Sequence, residues 1–567
     1  MPDPESPKQE EKDREGAPKP DQAATSAGPA ASPALLAVLA VVVLWAFFFV
    51  LGLEGLEFGT HWDENRLLHS ISRAIGTGSL RPTFYVYPAV THWLVWLPAL
   101  PSLLAGFPAA KQCLASVDPG EPTAWTPCLA HWTTHALESL APAVVILRAR
   151  VLFLLVSSAT VVLAGLAIFR ERRRAGEAAI AAAVVATSWE VQYHARWTAP
   201  DTLLMTAAAL VLWTLVEAER RSSARWLSAA AVAAAFGAST KLTGGILLLP
   251  VILAGATQAR EGRRIPALDV RRAARLGVTF AIAFCLISPG AIVDAPQVVL
   301  EILHESRHYA TGHGVYTVSP GVGHLWSMIA YLFGPLLSPR WPLGYVLGAL
   351  AVAGGVAAFR EGSRALQAFI VTALVFVIFL ATRRVMIVRN LIWITPILAV
   401  CAARGVTFLA EAITARRPSM SLDFVPATVA AVVLLLGAAS TADAAARVTE
   451  RQLDGQPARA VAALNEHAGS RVFLTSEARA RFAAAGAPIP PNVALRIEEA
   501  EYVMGLFSEL PGEGIRANAR GTFALGLTAP EVNLDYYPTS LDRERFVALR
   551  KATWEAAMAT MPRPQVP

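Results

Sequence analysis

The sequence at residues 35–53 reads LLAVLAVVVLWAFFFVLGL and contains no charged side chain. A run of this length and composition can cross the hydrocarbon core of a bilayer as a single helix. Residues 59–66, which read GTHWDENR, follow it closely. Ionised carboxylates beside hydrocarbon need water, a metal ion or a charged partner. The Asp63-Glu64 pair therefore predicts either the acidic start of a surface helix or a functional site.

The composition of the whole chain places it among membrane proteins. Its 567 residues are 54% hydrophobic and 16% charged, which is too apolar for a soluble chain of this length. The formal net charge is +6, but the basic residues fall in short clusters between apolar runs. That distribution is typical of membrane topology signals and not of a nucleic-acid-binding face. We therefore expect membrane lipids, and no nucleic acid, as partners.

Further apolar runs follow the first one along the chain, separated by short polar loops. They lie at residues 142–168, 176–190, 201–217, 226–238, 243–257, 276–293, 341–359, 366–382, 391–410 and 424–440. Together with residues 35–53 they predict an α-helical polytopic membrane protein with about 11 transmembrane helices. Residues 323–337 begin with polar and aromatic side chains and are expected to be interfacial or re-entrant.

The arginine clusters fall on alternate loops and give the expected orientation. They lie at residues 170–174, 220–221, 260–275, 360–364 and 416–417, and the positive-inside rule makes these loops cytoplasmic. The N-terminus is then cytoplasmic as well, and its polar residues 1–32 are expected to be a disordered tail. The loops that carry Asp63, Asp201 and Lys241 face the outside.

Two domains are expected after this tail. Residues 33–440 form the predicted transmembrane domain, with a first outer loop at 54–141, and residues 441–567 form an extracytoplasmic domain. This last part alternates helix and strand patterns, which predicts a small α/β fold; the patterns lie at 459–467, 471–475 and 501–507.

Cys113 and Cys128 share the first outer loop, where they either form a disulfide or stay as two thiols.

Charged side chains of both signs lie on the loops that face the outside. His194, Arg196 and Asp201 belong to one loop, and Lys241 lies in a short hairpin between two spans. Asp201 begins a span, where a carboxylate favours the helix start without any further function. The arginines of residues 383–389 lie where the positive-inside rule disfavours them, so they need an anionic partner, either carboxylates or a phosphate.

These loops predict a cavity at the membrane surface with carboxylates on one wall and cations on another. A carboxylate can take the proton of an acceptor hydroxyl as that hydroxyl attacks the anomeric carbon of a sugar. Cations stabilise the charge that builds on a departing phosphate. One base without a nucleophile implies a single displacement with inversion at the sugar carbon.

In this order the motifs resemble the polytopic glycosyltransferases of the GT-C fold that use a polyprenyl-phosphate sugar. The chain is most similar to the bacterial branch of the dolichyl-phosphate-mannose:protein mannosyltransferases and to the lipid A aminoarabinose transferases. The resemblance extends from Leu35 to Arg404. It depends on Asp63-Glu64, Tyr87-Pro88, Arg196 with Asp201, Gly237–Lys241 followed by Gly244-Gly245, and Arg389 before Pro396.

The resemblance implies an enzyme of the bacterial inner membrane that transfers a hexosyl or pentosyl group from the lipid phosphate. The acceptor would be a hydroxyl of a protein, a lipid or a cell-envelope glycan. Asp63 would be the catalytic base, and Glu64 and Asp201 would orient the acceptor, the base or a metal ion. Lys241 and Arg389 would bind the lipid phosphate.

The chain departs from these families in its first outer loop. The aminoarabinose transferases carry a lysine before paired prolines there, whereas residues 85–89 of this chain read YVYPA. Phosphate binding therefore passes to other arginines, for which the candidates are Arg81, Arg196, Arg384 and Arg389. Candidate substrate contacts are His61, Tyr87, His194 and His308.

Two features leave alternatives open. Asp63 and Glu64 with His61 or His194 can hold a divalent metal ion, although their spacing does not require one. The segment 304–314, which contains His308, is either a solvated surface loop or a lid over the cavity.

Two rival functions compete with glycosyl transfer. A polytopic transporter or flippase would place charges along the bilayer centre, whereas here they cluster at the ends of the spans. A non-catalytic envelope-assembly factor would keep the fold and use its outer domain for binding.

Overall fold

The computed structural model describes residues 33–56, 62–77, 82, 84–116, 125–258, 267–312, 316–338, 341–415, 424–450, 456–506, 509, 525 and 546–559. The predicted disordered tail at 1–32 lies outside these ranges.

Most of the described residues between 33 and 450 lie in helices. Up to residue 256 they are α1 (Pro33–Leu53), α2 (Trp62–Thr77), α3 (Ala89–Ala105), α4 (Phe107–Ala115), α5 (Trp125–Glu138), α6 (Pro142–Arg172), α7 (Ala175–Thr187), α8 (Trp189–Ala195), α9 (Pro200–Arg221), α10 (Ala224–Thr240), the 3₁₀ helix η1 (Leu242–Leu247) and α11 (Leu248–Ala256).

A short antiparallel pair, β1 (Thr257–Gln258) and β2 (Ala267–Leu268), leads to the second half of the bundle. Its helices are α12 (Val270–Ile287), α13 (Gly290–Val293), α14 (Ala295–Thr311), α15 (Val322–Leu332), α16 (Trp341–Glu361), α17 (Arg364–Ala381), the 3₁₀ helix η2 (Val388–Ile394), α18 (Thr395–Thr414) and α19 (Phe424–Glu450). Each apolar run predicted from the sequence overlaps a helix, but the runs 176–190, 243–257, 276–293 and 391–410 each extend over two or more elements. Helix α19 continues through the predicted domain boundary at residue 440.

Fewer helices have the length of a membrane span than the sequence predicted. Within the described ranges, six helices are long and apolar enough to cross a membrane, and the pair α3–α4, bent by 41°, makes seven if it counts as one span. Shorter apolar helices lie at Ala175–Thr187, Leu242–Ala256, Val322–Leu332 and Thr428–Ala439. The chain is a multi-pass membrane protein, but the predicted count of about 11 spans is not confirmed.

Two spans form the centre of the bundle. In α9 89% of the most apolar window is buried, and in the span Val388–Ala412, which contains η2 and α18, 94% is buried. The first span, α1, is 22% buried and lies at the periphery. Glycines let α16 approach α18 closely, since a Cβ at Gly354 would overlap the carbonyl group of Cys401. The two central spans are therefore closely surrounded by other helices. Each of them carries a charged side chain near its start, Asp201 in α9 and Arg389 in η2.

The region between α1 and α6, predicted to be the first outer loop, contains α2 to α5. Cys113 on α4 and Cys128 on α5 form a disulfide, with Cα atoms 5.2 Å apart, so the first of the two expected alternatives is confirmed. Trp132 on α5 donates its indole N–H to the carbonyl of Leu103 on α3 at 3.0 Å. Covalent and polar contacts thus join the helices of this loop into one unit.

The C-terminal region is a small α/β unit. It contains α20 (Gln456–Glu466), β3 (Val472–Leu474), α21 (Ser476–Ala484), β4 (Val493–Ala494), the 3₁₀ helix η3 (Ile497–Glu499), β5 (Tyr502–Leu506), β6 (Phe546–Arg550) and α22 (Lys551–Ala559). The strand order is β4-β3-β5-β6, in which β3 pairs parallel with β4 and β5, and β6 pairs antiparallel with β5. The predicted fold class, a helical polytopic protein with a small C-terminal α/β fold, is confirmed.

Candidate active site

Four buried charged side chains from four separate elements meet at one end of the bundle. We call Asp63, Asp201, Lys241 and Arg389 the charged cluster; each is less than a tenth exposed. Asp63 lies in the first turn of α2 and Asp201 in the first turn of α9. Carboxylates favour these positions because the helix dipole is positive at its N-terminus.

The two cations lie beside 3₁₀ segments. Lys241 is the extended residue between α10 and η1, and its N–H donates to the carbonyl of Gly237 at 3.2 Å. Arg389 is the second residue of η2. Stretches of 3₁₀ helix that interrupt long helices often occur at functional positions. Here they place both side chains toward the acidic helix starts.

Carboxylates and cations alternate within the charged cluster. Arg389 Nη1 lies 2.6 Å from Asp63 Oδ2, and Arg389 Nε lies 3.6 Å from Asp201 Oδ2. Lys241 Nζ lies 2.7 Å from Asp201 Oδ1. Two negative and two positive side chains cancel formally, which is what buried ionised groups require.

Neutral polar groups add hydrogen bonds to the charged cluster. The Tyr87 hydroxyl donates to Asp63 Oδ1 at 3.0 Å, and burial together with the charge of Asp63 raises the pKa of Tyr87 well above its ordinary value. The phenol is therefore protonated at neutral pH. Lys241 Nζ donates to Asn390 Oδ1 at 2.6 Å, and Asn390 Nδ2 donates to the Tyr309 hydroxyl at 2.7 Å.

A cavity of about 340 Å³ opens beside Lys241. Its lining combines apolar side chains with two cations and one carboxylate; it comprises Val86, Lys241, Leu242, Thr243, Ile302, Glu305, Ser306, Tyr309, Phe376, Phe379, Leu380, Arg383 and Asn390. The Arg383 guanidinium lies 4.4 Å from the centre of the Phe379 ring. We call this space the lysine cavity. It has the size and the polarity expected of a ligand site.

A second cavity, of about 490 Å³, shares Leu242 with the lysine cavity. Its lining is aromatic and apolar, and comprises Pro82, Tyr85, Pro88, Ala89, His92, Trp93, Trp96, Leu242, Phe284, Ser288, Pro289, Gly290, Ala291, Val293 and Val298. We call it the aromatic cavity. The two cavities together offer a charged end and a long apolar end.

Glu64 points away from the charged cluster. Its carboxylate accepts hydrogen bonds from Arg150 Nε at 2.8 Å and Arg150 Nη2 at 2.5 Å, and from the Thr198 N–H at 3.2 Å. Both Glu64 and Arg150 are buried. This pair fixes the start of α2 against α6 and against the loop before α9, and so positions Asp63 indirectly.

His194 and Arg196 also have partners of their own. His194 Nε2 lies 3.4 Å from Glu190 Oε2, and the same oxygen accepts from the Tyr331 hydroxyl at 3.0 Å. Arg196 Nη2 donates to the carbonyl of Leu51 at 2.7 Å, and burial lowers the pKa of Arg196 to about 10, so it stays charged at neutral pH. No hydrogen bond or ion pair among the described residues joins Arg196 to the charged cluster.

The remaining predicted site residues lie at the edge of the site or beyond the described ranges. Arg384 has an exposed side chain, and its N–H donates to the Tyr309 carbonyl at 2.9 Å. His308 is half-buried on α14, where its ring lies 6.4 Å from that of His304. Neither side chain lines the lysine cavity. His61 and Arg81 lie outside the described residues.

Three of the four side chains predicted as metal donors have other polar partners in the part of the chain that the structure describes. Asp63, Glu64 and His194 contact Arg389, Arg150 and Glu190 respectively, and the fourth, His61, lies outside the described residues. Among the described residues, no group of three or more His, Cys, Asp or Glu side chains is placed to hold a metal ion.

Several residues of the site were not predicted from the sequence. Asn390 and Tyr309 connect Lys241 to α14, and Arg150 neutralises Glu64. Glu301 accepts from the N–H groups of Tyr85 and Val86 at 2.7 and 2.9 Å, and so holds the loop that carries Tyr87. Only Arg150 had a signal in the sequence, because the run 142–168 contains two arginines, Arg148 and Arg150, and arginines inside an apolar run need partners.

One family of known proteins matches part of the chain. Residues 126–292 match the model of the dolichyl-phosphate-mannose-protein mannosyltransferase family. This range contains Asp201 and Lys241, whereas Asp63 and Arg389 lie outside it. The resemblance predicted from the sequence is confirmed over this range.

Two solved structures align with most of the chain. The crystal structure of ArnT from Cupriavidus metallidurans bound to undecaprenyl phosphate has 13% identity and a TM-score of 0.46, with 92% of this chain and 98% of that chain covered. The apo state of the same protein has 12% identity and a TM-score of 0.46, with 91% and 97% covered. No curated protein sequence matches the chain.

Replacing Gly244 by alanine is expected to destabilise the hairpin that carries Lys241. The new Cβ would overlap the carbonyl group of Gly237 and lie 2.8 Å from the Ala238 nitrogen, which is backbone that cannot turn aside. We expect a loss of about 1–3 kcal/mol, measured as a lower midpoint of thermal unfolding in detergent. Gly245→Ala is the control, since its Cβ meets no atom within 4 Å. Equal midpoints for the two variants would contradict the close packing at Gly244.

Replacing Arg150 by methionine is expected to lower stability by about 3–5 kcal/mol, because it leaves the Glu64 carboxylate buried without a guanidinium partner. Adding Glu64→Gln should recover part of this loss, since no buried charge then remains. Thermal unfolding of Arg150→Met, Glu64→Gln and the double variant, all in the same detergent, measures the coupling between the two residues. A double variant as unstable as the sum of the two single variants would show that Arg150 and Glu64 are not coupled.

Proposed function

We propose that this chain is an integral membrane glycosyltransferase of the GT-C type that moves a sugar from a polyprenyl phosphate to an acceptor hydroxyl. The observation that carries the proposal is the charged cluster, in which two carboxylates and two cations from distant parts of the chain meet beside the lysine cavity. The partial match to a family named for a dolichyl-phosphate sugar and a mannosyl transfer supports the same chemistry.

The reaction is a single displacement at the anomeric carbon. The acceptor oxygen forms a bond to this carbon while the bond from the carbon to the phosphate oxygen breaks, and the lipid phosphate leaves with the bonding electrons. Asp63 takes the proton of the acceptor hydroxyl, as a general base within hydrogen-bond reach does. Attack from the face opposite the leaving phosphate inverts the sugar carbon.

The lysine cavity is the proposed position of the donor phosphate. Lys241 and Arg383 line it, and phosphate oxygens accept strong charge-assisted hydrogen bonds from such groups. Arg389 does not line the cavity, but it is joined to Lys241 through Asp201, whose two carboxylate oxygens contact one cation each. The aromatic cavity continues from Leu242 and suits an isoprenoid chain, because its lining is apolar.

The base is covered in this conformation. Asp63 is 1% exposed, with one carboxylate oxygen contacting Tyr87 and the other contacting Arg389. A donor phosphate that attracts Arg389 would release Asp63 Oδ2, while Tyr87 would keep the carboxylate in place through Oδ1. Donor binding therefore frees one oxygen of Asp63 to accept the proton of the acceptor hydroxyl. Asp201 holds Lys241 and Arg389 near the phosphate.

The active face is proposed to be the outer face of the bacterial inner membrane. The disulfide between Cys113 and Cys128 lies on the same outer loop region as Asp63, and disulfides persist in oxidising compartments. The arginine-rich helix ends lie at the opposite end of α6 and α9, as the positive-inside rule requires. The N-terminus is then cytoplasmic and the α/β unit extracytoplasmic.

The position of the charges also favours an enzyme over a transporter. In the described ranges, the residues of the charged cluster lie at the starts of α2 and α9, after α10 and before α18, not along a path through the bundle. A transport path would need ionisable groups near the bilayer centre.

Replacing Asp63 by asparagine is expected to lower the transfer rate about 10²–10⁴-fold, because the amide cannot take the proton of the acceptor. Transfer from a synthetic polyprenyl-phosphate sugar to a membrane extract gives the rate, and detergent extraction with size-exclusion chromatography checks that the variant is folded. Asp294→Asn is a matched control on the same outer side, because that carboxylate contacts Tyr85 and lies outside the charged cluster. Undiminished transfer by Asp63→Asn would rule out this base.

Replacing Arg383 by glutamine is expected to raise the KM for the donor about tenfold and to leave the KM for the acceptor unchanged, because Arg383 lines the lysine cavity and loses a charge-assisted bond to phosphate. Arg384→Gln removes the same charge from the adjacent residue, whose side chain is exposed and outside the cavity lining. A larger donor effect at Arg384 than at Arg383 would place the phosphate elsewhere and restore the assignment made from the sequence.

A further inference from the structure

A third cavity, of about 620 Å³, lies at the opposite end of the bundle from the charged cluster. It is lined by Leu215, Ala218, Glu219, Ser222, Ser223, Leu227, Ala254, Gly255, Arg272, Gly362, Arg364 and Ala365. We call it the arginine cavity. It lies between the end of α9, the start of α10, the first turn of α12 and the turn before α17.

The separation of the two sites follows from the length of α9. Asp201 lies at the start of this helix and Glu219 near its end, which places them about 27 Å apart at 1.5 Å per residue. This distance is close to the thickness of the hydrocarbon core, about 30 Å. The arginine cavity therefore lies at the other membrane face and cannot belong to the same ligand site.

The two arginines of this cavity differ from the arginines around them. At the same end of the bundle Arg172, Arg174 and Arg404 form ion pairs with glutamates. Among the described residues, the guanidinium groups of Arg272 and Arg364 have no ion pair and no hydrogen bond. Arg272 is half-buried and Arg364 is exposed, so both are open to a ligand.

The carboxylate of the arginine cavity is already engaged. Glu219 accepts from the N–H groups of Arg364 and Ala365, both at 3.0 Å, and so satisfies the first turn of α17. The charged side chains of the lining are one glutamate and two arginines, which leaves an excess of one positive charge. The hydroxyls of Ser222 and Ser223 add donors on the same wall.

We propose that the arginine cavity binds the phosphate group of an anionic phospholipid. Two guanidinium groups match a phosphate, because each can donate two parallel hydrogen bonds. Leu215, Leu227 and Ala254 give the apolar contact that the glycerol and upper acyl chains require. Basic pockets between membrane helices are a known way of binding anionic lipid headgroups. This site is independent of the proposed transfer reaction.

Native mass spectrometry of the full chain, delipidated in detergent and titrated with phosphatidylglycerol or phosphatidylcholine, tests the proposal. We expect retention of phosphatidylglycerol in preference to phosphatidylcholine, and affinity about tenfold weaker in Arg272→Gln/Arg364→Gln. The matched control is Arg271→Gln/Arg275→Gln, which removes two charges from exposed side chains of α12 that do not line the cavity. Equal losses in the two double variants would reduce the effect to general surface charge and overturn the site.

A second variant covers the case in which the first one is poorly folded. Ser223 is the N-cap residue of α10 and makes no capping hydrogen bond through its side chain. Ser223→Asp improves the cap while it places a negative charge in the cavity, so the protein should stay folded and lose phosphatidylglycerol. Retention of phosphatidylglycerol by this variant at the affinity of the unmodified chain would contradict the proposal.

A competition experiment identifies the source of the phosphate. Glycerol 3-phosphate should displace phosphatidylglycerol and glycerol should not, since the arginines bind a phosphate whose negative charge is not neutralised by a cation within the ligand, as it is in phosphatidylcholine. Binding of glycerol 3-phosphate by a chain that retains no phosphatidylglycerol would overturn the assignment to a lipid and show a site for a free phosphate ester.

Discussion

Ionised side chains that are buried at the ends of membrane helices must neutralise one another, and the rest of this structure depends on how they do so. In the charged cluster, Asp63, Arg389, Asp201 and Lys241 follow one another with alternating sign. These residues come from the region between α1 and α6, from the two central spans and from the hairpin after α10. The helices that carry them must therefore reach fixed positions before any one of these charges can be buried.

The two ends of the bundle meet this constraint differently. At the arginine-rich end, Arg404 pairs with Glu171 and Glu361, and Arg172 extends the network to Glu411. Those pairs tie α6, α16 and α18 together. At the other end the charged cluster lies against the lysine cavity, so the same kind of pairing is open to competition from an anion. The two groups of ion pairs thus lie at opposite ends of the bundle.

The sequence predicted the membranous fold well, because apolar runs between arginine clusters are a strong signal. It also selected the four residues of the charged cluster, since acidic helix starts and arginines on the disfavoured side both need partners; the catalytic roles given to them stay predictions. It did not predict that Glu64 pairs with Arg150, or that His194 faces Glu190. Neighbours such as Asp63 and Glu64 point in different directions on a helix, and only the packing of α2 against α6 decides which of them faces the site.

The predicted span count was not confirmed, because short and bent helices have similar composition whether they cross the bilayer or lie within the protein.

The formal neutrality of the charged cluster limits how the proposed reaction can proceed. A phosphate that enters the lysine cavity adds negative charge to a site whose two cations are already paired with Asp63 and Asp201. Either the phosphate stays bound only to Arg383, or it takes a share of Lys241 and Arg389 from the carboxylates. In the second case Asp63 loses its cation when the donor arrives, and a carboxylate without a cation is a stronger base. When the lipid phosphate leaves, Arg389 can return to Asp63 and the base is covered again. The same ion pair would then both hold the empty site together and restrict basic character to the donor-bound state, which protects the donor from reaction with water before an acceptor is present.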